Sequence, residues 1–461
     1  MVAELAEFNE NIDEMVSHGA LRSMLKDDNI DDFRREFLAL HSYEQSEFYL
    51  EIGNDERMRL YHFLDPDEVS DFFDNLELEP EEFEEIFDEM DARYAAHMLG
   101  SMQYDNAVDI LNEVSKEKLT SFLTLMDRED AREIRALLNY EEDTAGGIMT
   151  TEFVSVTSLM TVREAMRHLK EKAPGSETIY YVFVVDEERR LAGIMSLREL
   201  IIADDDEYIG DIMTERVVSV RVSDDQEDVA QIMRDYDFLA VPVVDYQDHL
   251  VGIITADDIM DVIHEEAGED YSRLAGMSEI EPTTDSSIST AKKRLPWLVG
   301  LTFMGMITAT MLTTFEDTLA QVAILGAFIP IIGGMAGNTG TQSLAVAVRG
   351  IATGEIQEAS KVKLALREMG SGVITGAVCG AVLFTIIVLM YQSPVLGMIV
   401  SASLMIAMTL ATLLGTLVPL AMARVGIDPA VASGPFITTA NDIISLLIYF
   451  SLANAFMSYL I

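Results

Sequence analysis

Residues 434–460 read GPFITTANDIISLLIYFSLANAFMSYL, and Asp442 is the one charged side chain among them. A stretch this long and this apolar is enough to cross a bilayer, which takes about 20 residues. A carboxylate inside such a helix is costly unless it faces water or a cation. Helical spacing puts Thr438, Asp442, Ser445 and Tyr449 on one face, a polar stripe that reads as a pore lining. A second stretch, Pro330–Gln342 (PIIGGMAGNTGTQ), sets Gly333, Gly334, Gly337 and Gly340 among Asn338, Thr339, Thr341 and Gln342. Two readings fit it. One is an interrupted span whose carbonyls and amides receive a hydrated cation; the other is a close-packing face of small residues.

Outward from these stretches the pattern predicts five spans, at 295–315, 319–347, 370–391, 395–423 and 434–460. Lys292, Lys293, Arg294 and Trp297 mark a cytosolic membrane boundary before the first. Arg349, Lys361, Lys363 and Arg367 fall between spans two and three and place that loop in the cytosol. Five spans then put the N-terminus inside, Arg424 inside and the C-terminus outside a plasma (inner) membrane.

The charge is lopsided. Residues 1–291 carry 72 acidic and 23 basic side chains, and residues 292–461 carry 7 and 8. So acidic a half repels nucleic acid and draws cations; solubility or adaptation to high salt is the other reading. Cys379 is the one cysteine, so no intrachain disulfide is possible. The start, MVAELAEFNE, has neither a basic nor an apolar leader segment, and no signal peptide is expected. No HExxH, GxSxG or P-loop pattern occurs, and the chain is not expected to be an enzyme.

Residues 1–140 read as short helices. LDPDEVSDFFDNL, EMDARYAAHMLGSM, QYDNAVDILNEV and SKEKLTSFLTLM each open polar or acidic and continue with apolar residues at helical spacing. Acids at helix starts suit capping and the helix dipole. Units of about 12 residues cannot bury a core alone and are expected to stack as a superhelix. Asp105 and Asp109, four apart, share a helix face: either two solvated acids or a pair relieved by a divalent cation.

A tandem repeat follows. Gly147-Ile-Met-Thr150 recurs as Asp211-Ile-Met-Thr214, Val182-FVVD as Val241-PVVD, and Gly193-IMSLREL as Gly252-IITADDI. Short Val/Ile runs alternating with helical patterns predict two α/β units. They resemble a pair of CBS domains, whose nucleotide-handling signature reads here Gly193-Ile-Met-Ser196-Leu-Arg-Glu199 and Gly252-Ile-Ile-Thr255-Ala-Asp-Asp258. In the first copy Tyr181, Ser196, Arg198 and Glu199 are the candidate nucleotide contacts, although Glu199 stands where Asp is usual. Acids crowd the second copy and run on through Glu265, Glu266, Glu269 and Asp270. Mg²⁺ and Ca²⁺ take oxygen ligands, and scarce His and absent Cys in this region argue against zinc or copper.

The order of parts is similar to the MgtE family of magnesium channels and transporters. An acidic helical segment leads into YEEDTAGGIMT, paired CBS units and five spans carrying P-x₆-GN-x-G-x-Q and NDIISLLIY. The fold class is therefore expected to be a multidomain membrane protein: an α-helical superhelical N domain, α/β tandem CBS domains and an all-α five-helix transmembrane domain. The boundaries expected are 1–60 for a helical extension, 61–140 for the acidic repeat, 141–208 and 209–272 for the CBS units, 273–294 for a connecting plug helix, and 295–461 for the pore domain. The resemblance implies Mg²⁺ uptake through one pore on the axis of a homodimer, with Asp442 of both subunits and Thr438 holding a hydrated ion near Asn338 and Gln342. Gly434 stands where some members carry Asn. It also implies that cytosolic Mg²⁺ bridges the N and CBS domains and closes the pore. The matching ligands are Asp105, Asp109, Asp225, Glu227, Asp237, Asp258, Asp261, Glu266, Glu269 and Asp270, with ATP as a further modulator. Asp258 is claimed by both the nucleotide signature and the metal pattern; the metal role is favoured. The alternatives are a carrier of broader selectivity (Mn²⁺, Co²⁺) and a CBS-regulated membrane sensor without transport.

Overall fold

A computed structural model of the chain describes residues 18–76, 78, 80–277, 287–356 and 361–460. The first 17 residues of the expected extension and residues 278–286 of the expected connector lie outside the described residues. The chain forms two compact units, Met1–Met260 and Asp261–Ile461.

The described residues of the first unit begin with ten short helices: α1 (residues 18–26), α2 (Ile30–Phe37), α3 (Ser42–Glu51), α4 (Asn54–Phe63), α5 (Pro66–Phe73), α6 (Pro80–Glu89), α7 (Ala92–Ser101), α8 (Tyr104–Glu113), α9 (Lys116–Leu125) and α10 (Asp130–Leu137). The acidic starts do what the pattern implied. Asp91 accepts from the Arg93 N–H at 2.9 Å, and at α5 the Glu68 carboxylate reaches back to the Asp65 N–H at 2.9 Å behind Pro66. Packing skips one helix each time: α3 meets α5, α5 meets α7 and α7 meets α9, while α6 meets α8 and α8 meets α10. Ion pairs between residues 34 apart staple this zigzag: Arg22 to Glu56 at 2.6 Å, Arg34 to Glu68 at 2.5 Å and Lys118 to Glu84 at 2.6 Å. Buried rings of Phe33, Phe37, Phe48 and Phe72 fill the early turns. The boundary expected at residue 60 falls inside α4, and the Arg34–Glu68 and Arg57–Glu89 pairs join residues on both sides of it. Residues 18–60 are thus the first turns of the same array rather than a separate extension.

Two small sheets follow, β1 (Phe153–Thr157), β2 (Thr178–Val185) and β3 (Leu191–Ser196), then β4 (Val220–Arg221), β5 (Ala240–Val244) and β6 (Leu250–Thr255). In each, the first pair is parallel and the second antiparallel. Between them stand α11 (Val162–Lys172), α12 (Leu197–Ile202), α13 (Ile209–Ile212) and α14 (Gln226–Tyr236). The recurring motifs interlock. Thr150, before the first copy, exchanges backbone hydrogen bonds of 2.9 and 3.0 Å with Ile253 of the second; Thr214, before the second, does the same with Ile194 of the first. Gly193 and Gly252 make room for this. A Cβ on either would lie 2.5 and 2.6 Å from the sulfurs of Met213 and Met149. The boundary expected at 208/209 therefore cuts just ahead of a segment hydrogen-bonded to the first copy.

The helix α15 (Ala256–Ala275) leads into the second unit: α16 (Ser287–Thr313), α17 (Glu316–Gln321), α18 (Ile329–Ala352), α19 (Lys361–Tyr391), α20 (Pro394–Arg424), α21 (Gly434–Ala455) and α22 (Met457–Leu460). Among the described residues, five stretches are long and apolar enough to cross a membrane: Ser287–Thr313, Ala323–Ala352, Lys361–Tyr391, Pro394–Arg424 and Gly434–Ala455. Helices α18, α19 and α21 all pack on α20, around a core that includes Leu325, Phe328, Leu404, Tyr449 and Phe450.

Two expectations change here. The second span is not interrupted at its glycines: α18 runs unbroken from Ile329, and the irregular backbone is a 3₁₀ stretch upstream, Ala323–Phe328. Nor do the described residues of 273–294 form one connecting helix. Alpha-helix α15 ends at Ala275, Gly276 turns left-handed (φ +81°), and α16 starts at Ser287.

Candidate functional site

The glycine row of α18 is a seat for α21. A Cβ on Gly333 would lie 2.7 Å from Asp442 Oδ1, and one on Gly337 would lie 2.8 Å from Thr438 Cγ2; Gly340 meets Asn441. Only bare backbone lets these helices come so close, the small-residue packing usual between membrane helices. The row sets Thr438 and Asp442, one turn apart and half-buried, against α18. Thr341 joins them, its hydroxyl 3.4 Å from that of Thr438. Asn338 and Gln342, also one turn apart, lie exposed on another face of α18. The polar stripe divides below Asp442. Ser445 and Tyr449 are buried, the Ser445 hydroxyl donating to the Asp442 carbonyl at 3.1 Å and Tyr449 to the Leu325 carbonyl at 2.9 Å. They are packing groups, and the accessible end of the stripe is Thr438 and Asp442.

In the first unit, one buried acid gathers others. Asp105 is 6 % exposed, while Asp109 on the next turn of α8 is exposed. Burial, then Asp258 and Glu177, pushes the Asp105 carboxyl up to about 8. Burial, then Asp258 and Asp257, pushes Glu177 up to about 7. Glu152 is raised by burial too, and its carboxylate accepts the Tyr104 N–H at the start of α8 at 3.2 Å. Asp258 also caps α15, accepting from the Thr255 N–H at 3.2 Å and from the Thr255 hydroxyl. Other expected ligands lie elsewhere. Asp225 caps the start of α14 by accepting from the Glu227 N–H at 2.9 Å, and Asp237 ends that helix in the left-handed region (φ 54°). Asp261 is exposed on α15. Glu266, Glu269 and Asp270 occupy its later turns, where burial, then Asp428 and Glu266, raises Asp270 to about 6. Among the described residues, no three His, Cys, Asp or Glu side chains of this one chain are placed to hold a metal ion.

The first copy's signature is a capping box. Glu199 accepts from the Ser196 N–H at 2.7 Å and from its hydroxyl at 2.9 Å, and the Ser196 oxygen accepts the Glu199 N–H at 3.2 Å. The box borders a cavity of about 260 Å³ lined by Tyr181, Ser196, Glu199, Arg216 and Phe238 among others. Arg198 is exposed and does not line it. Sequence reasoning passed over Arg216, Glu152 and Glu177. The repeat offset was the available signal: 64 residues separate Thr150 from Thr214, and the same step pairs Glu152 with Arg216.

Comparison with known proteins finds the same order of parts. The family model described as a divalent cation transporter matches residues 329–452, the MgtE intracellular N domain matches 40–143, and the CBS domain matches 145–206 and 209–265. The magnesium transporter MgtE of Enterococcus faecalis is 48% identical over 96% of this chain and 97% of its own. That of Bacillus subtilis is 36% identical over 94% and 96%, and that of Thermus thermophilus 40% over 76% and 79%. The crystal structure of the soluble part of a magnesium transporter covers 55% of this chain and 99% of its own at 53% identity, with a TM-score of 0.53. The cytosolic domain of the Mg²⁺ channel MgtE in complex with ATP covers 53% and 99% at 37% identity, with a TM-score of 0.50. The chain is an integral membrane protein and belongs to the MgtE family of divalent cation transporters.

Proposed function

We propose that the chain is a Mg²⁺ channel of the plasma (inner) membrane, mediating uptake and closed from the cytosol by Mg²⁺ itself. The observation that carries this is Asp442, the lone carboxylate of its span, seated half-buried against Gly333 of α18 beside the Thr438–Thr341 pair. Mg²⁺ is small and gives up water reluctantly. A carboxylate with flanking hydroxyls binds its water shell without stripping it, and loosely enough for release. One such group per chain makes a poor filter. In the proposed assembly two copies bring Asp442 and Thr438 together on a two-fold axis, with Asn338 and Gln342 from the exposed face of α18 nearby. The N-terminus lies in the cytosol and the C-terminus outside.

Gating rests on the acids of the first unit. Asp105, Asp258 and Glu177 are pressed together and partly desolvated, a costly arrangement that a divalent cation relieves. At low Mg²⁺ these surfaces repel; at high Mg²⁺ ions bridge them. Swinging a gate from 1:99 to 99:1 takes about 5.5 kcal/mol, or roughly 1.4 kcal/mol from each of four ions. Asp109, Asp225, Glu227, Asp237, Asp261, Glu266, Glu269 and Asp270 are the further proposed ligands, shared across domain or subunit interfaces. The cavity at Tyr181, Ser196 and Glu199 is proposed to take an adenine nucleotide, with Arg216 on its phosphates; a relative's cytosolic domain is known with ATP.

The test is Asp442→Ala in a Mg²⁺-auxotrophic strain. The variant is expected to accumulate in the membrane as well as the wild type and to give no rescue. Normal rescue would remove Asp442 from the pore. Single-channel recording with Mn²⁺ and Co²⁺ in place of Mg²⁺ separates a selective channel from a broader carrier.

A further inference from the structure

Within the second unit, the end of α15 is fastened to its neighbours by three devices. The Arg273 guanidinium bridges two carboxylates, Glu269 one turn back on its own helix and Asp428, far along the chain. Leu274 packs on a buried apolar cluster of Leu344, Val348, Ala430, Ala432 and Ile437. Gly276, in its left-handed turn, lies over the Trp297 indole and Pro435: a Cβ there would be 2.6 Å from Trp297 Nε1 and 3.2 Å from Pro435 Cγ.

Asp428 is not a loose partner. Its other carboxylate oxygen accepts the Ala430 N–H at 2.7 Å and so caps the 3₁₀ turn Pro429–Val431. That turn leads through Ala432 and Ser433 straight into α21 at Gly434. Thr438 lies about one helical turn beyond Gly434 and Asp442 about two. A helix is stiff over two turns, so whatever fixes Asp428 fixes the start of the helix that carries the pore carboxylate. Charge makes Arg273 the critical member. Glu266, Glu269, Asp270 and Asp428 all bear on this one guanidinium. Without it, like charges would face one another across the joint and push α15 from the lead-in of α21.

We propose that Arg273 is a positioning residue of the transport cycle: by holding Glu269 and Asp428 together it couples α15, which begins directly after β6 of the second CBS copy, to the entry of the pore helix. The inference rests on the Mg²⁺-channel reading above. Arg273 touches no ion in this role. It transmits the closing signal to Thr438 and Asp442, and the planar fork of Arg, able to grip two carboxylates at once, is what the joint requires.

The test is recording of full-length channels in membrane patches while cytosolic Mg²⁺ is varied. For Arg273→Gln the Mg²⁺ concentration that half-closes the channel is expected to rise about tenfold, the loss of one charge-assisted contact, with unitary conductance unchanged. Asp428→Asn should shift it the same way. Arg273→Lys should fall between, keeping the charge but not the two-point grip. The exchange Arg273→Asp with Asp428→Arg re-forms the 273–428 pair but gives up the Ala430 cap and the grip on Glu269, and should restore only part of the wild-type response. If Arg273→Gln does not accumulate, Asp428→Asn and the exchange carry the same measurement. Wild-type Mg²⁺ dependence in Arg273→Gln or in Asp428→Asn overturns the coupling. Absence of Mg²⁺ current in the wild type overturns the channel reading itself, so the two failures are told apart.

Discussion

The two CBS copies share one topology and one capping device, yet their equivalent clefts differ in charge, one balanced and one acidic. In both, the antiparallel strand ends on a hydroxyl residue, Ser196 or Thr255, and an acid three residues on closes the cap. In the first copy that acid, Glu199, borders an open cavity with Tyr181 and Arg216. In the second, Asp258 meets Asp105 and Glu177, and Glu152 stands where the repeat offset places Arg216 in the other cleft. The aromatic Tyr181, paired with Ser196, has Ala240 as its counterpart paired with Thr255. One cleft thus offers a cation and an aromatic face, suited to an anionic planar ligand; the other crowds carboxylates that only a cation can reconcile. A duplicated fold has kept its helix cap and changed its electrostatics, so the signature by itself predicts a cap, and the residues around it decide the ligand.

The largest expected effect comes from removing that crowding. In Asp105→Asn with Asp258→Asn, Asn keeps an acceptor for the Thr255 N–H and preserves the cap. The Mg²⁺ concentration for half-closing should rise by at least about tenfold, one lost ion's share of the gate. Patch recordings check it; an unchanged curve would mean the acidic cleft binds no regulatory ion and the contrast between the copies is one of charge alone.

How much of this was legible beforehand follows from what each signal measures. The spans and the short helices were legible because hydropathy and helical period report directly on burial. The glycine row of Pro330–Gln342 was ambiguous because backbone interruption and close packing select the same small residues. Only the approach of Asp442 and Thr438 to Gly333 and Gly337 resolves it. The Ser445–Tyr449 half of the stripe misled for a related reason: a hydroxyl satisfied by a buried carbonyl looks, in sequence, like one facing water. Asp105 and Asp109 were paired by spacing, but burial separates them, since the partners of Asp105 come from residues 72 and 153 positions away, Glu177 and Asp258. The break expected at residue 60 is invisible in the array, because the Arg34–Glu68 and Arg57–Glu89 ion pairs run across it.

A smaller effect sharpens the contrast through pH. Asp105 and Glu177 hold protons in the folded protein, at about 8 and about 7, that the unfolded chain releases near 4. A raised carboxyl contributes most below its unfolded value and loses that contribution as pH climbs through the folded one. In chelator, the thermal midpoint of the cytosolic transition should therefore fall from about pH 4 to about pH 8 and level off above, and millimolar Mg²⁺ should flatten the trend by taking the protons' place. Calorimetry of the full chain in detergent reads it. A midpoint that rises with pH in chelator would show that the acids are not pressed together in solution.

The smallest effect on closing belongs to the other cleft. Arg216→Glu gives the first copy the charge of the second, and nucleotide affinity measured by calorimetry should fall about tenfold or more, the loss of a charge-assisted contact to phosphate. Tyr181→Ala, which installs the second copy's small residue, should cost less, about three- to tenfold, as loss of a stacking face. Neither variant touches Asp105 or Asp258, so half-closing by Mg²⁺ without nucleotide should stay within about twofold of the wild type. Channel closing that tracks Arg216 as strongly as Asp258 would mean that the two clefts act as one site, and the division of labour argued from their charges would fail.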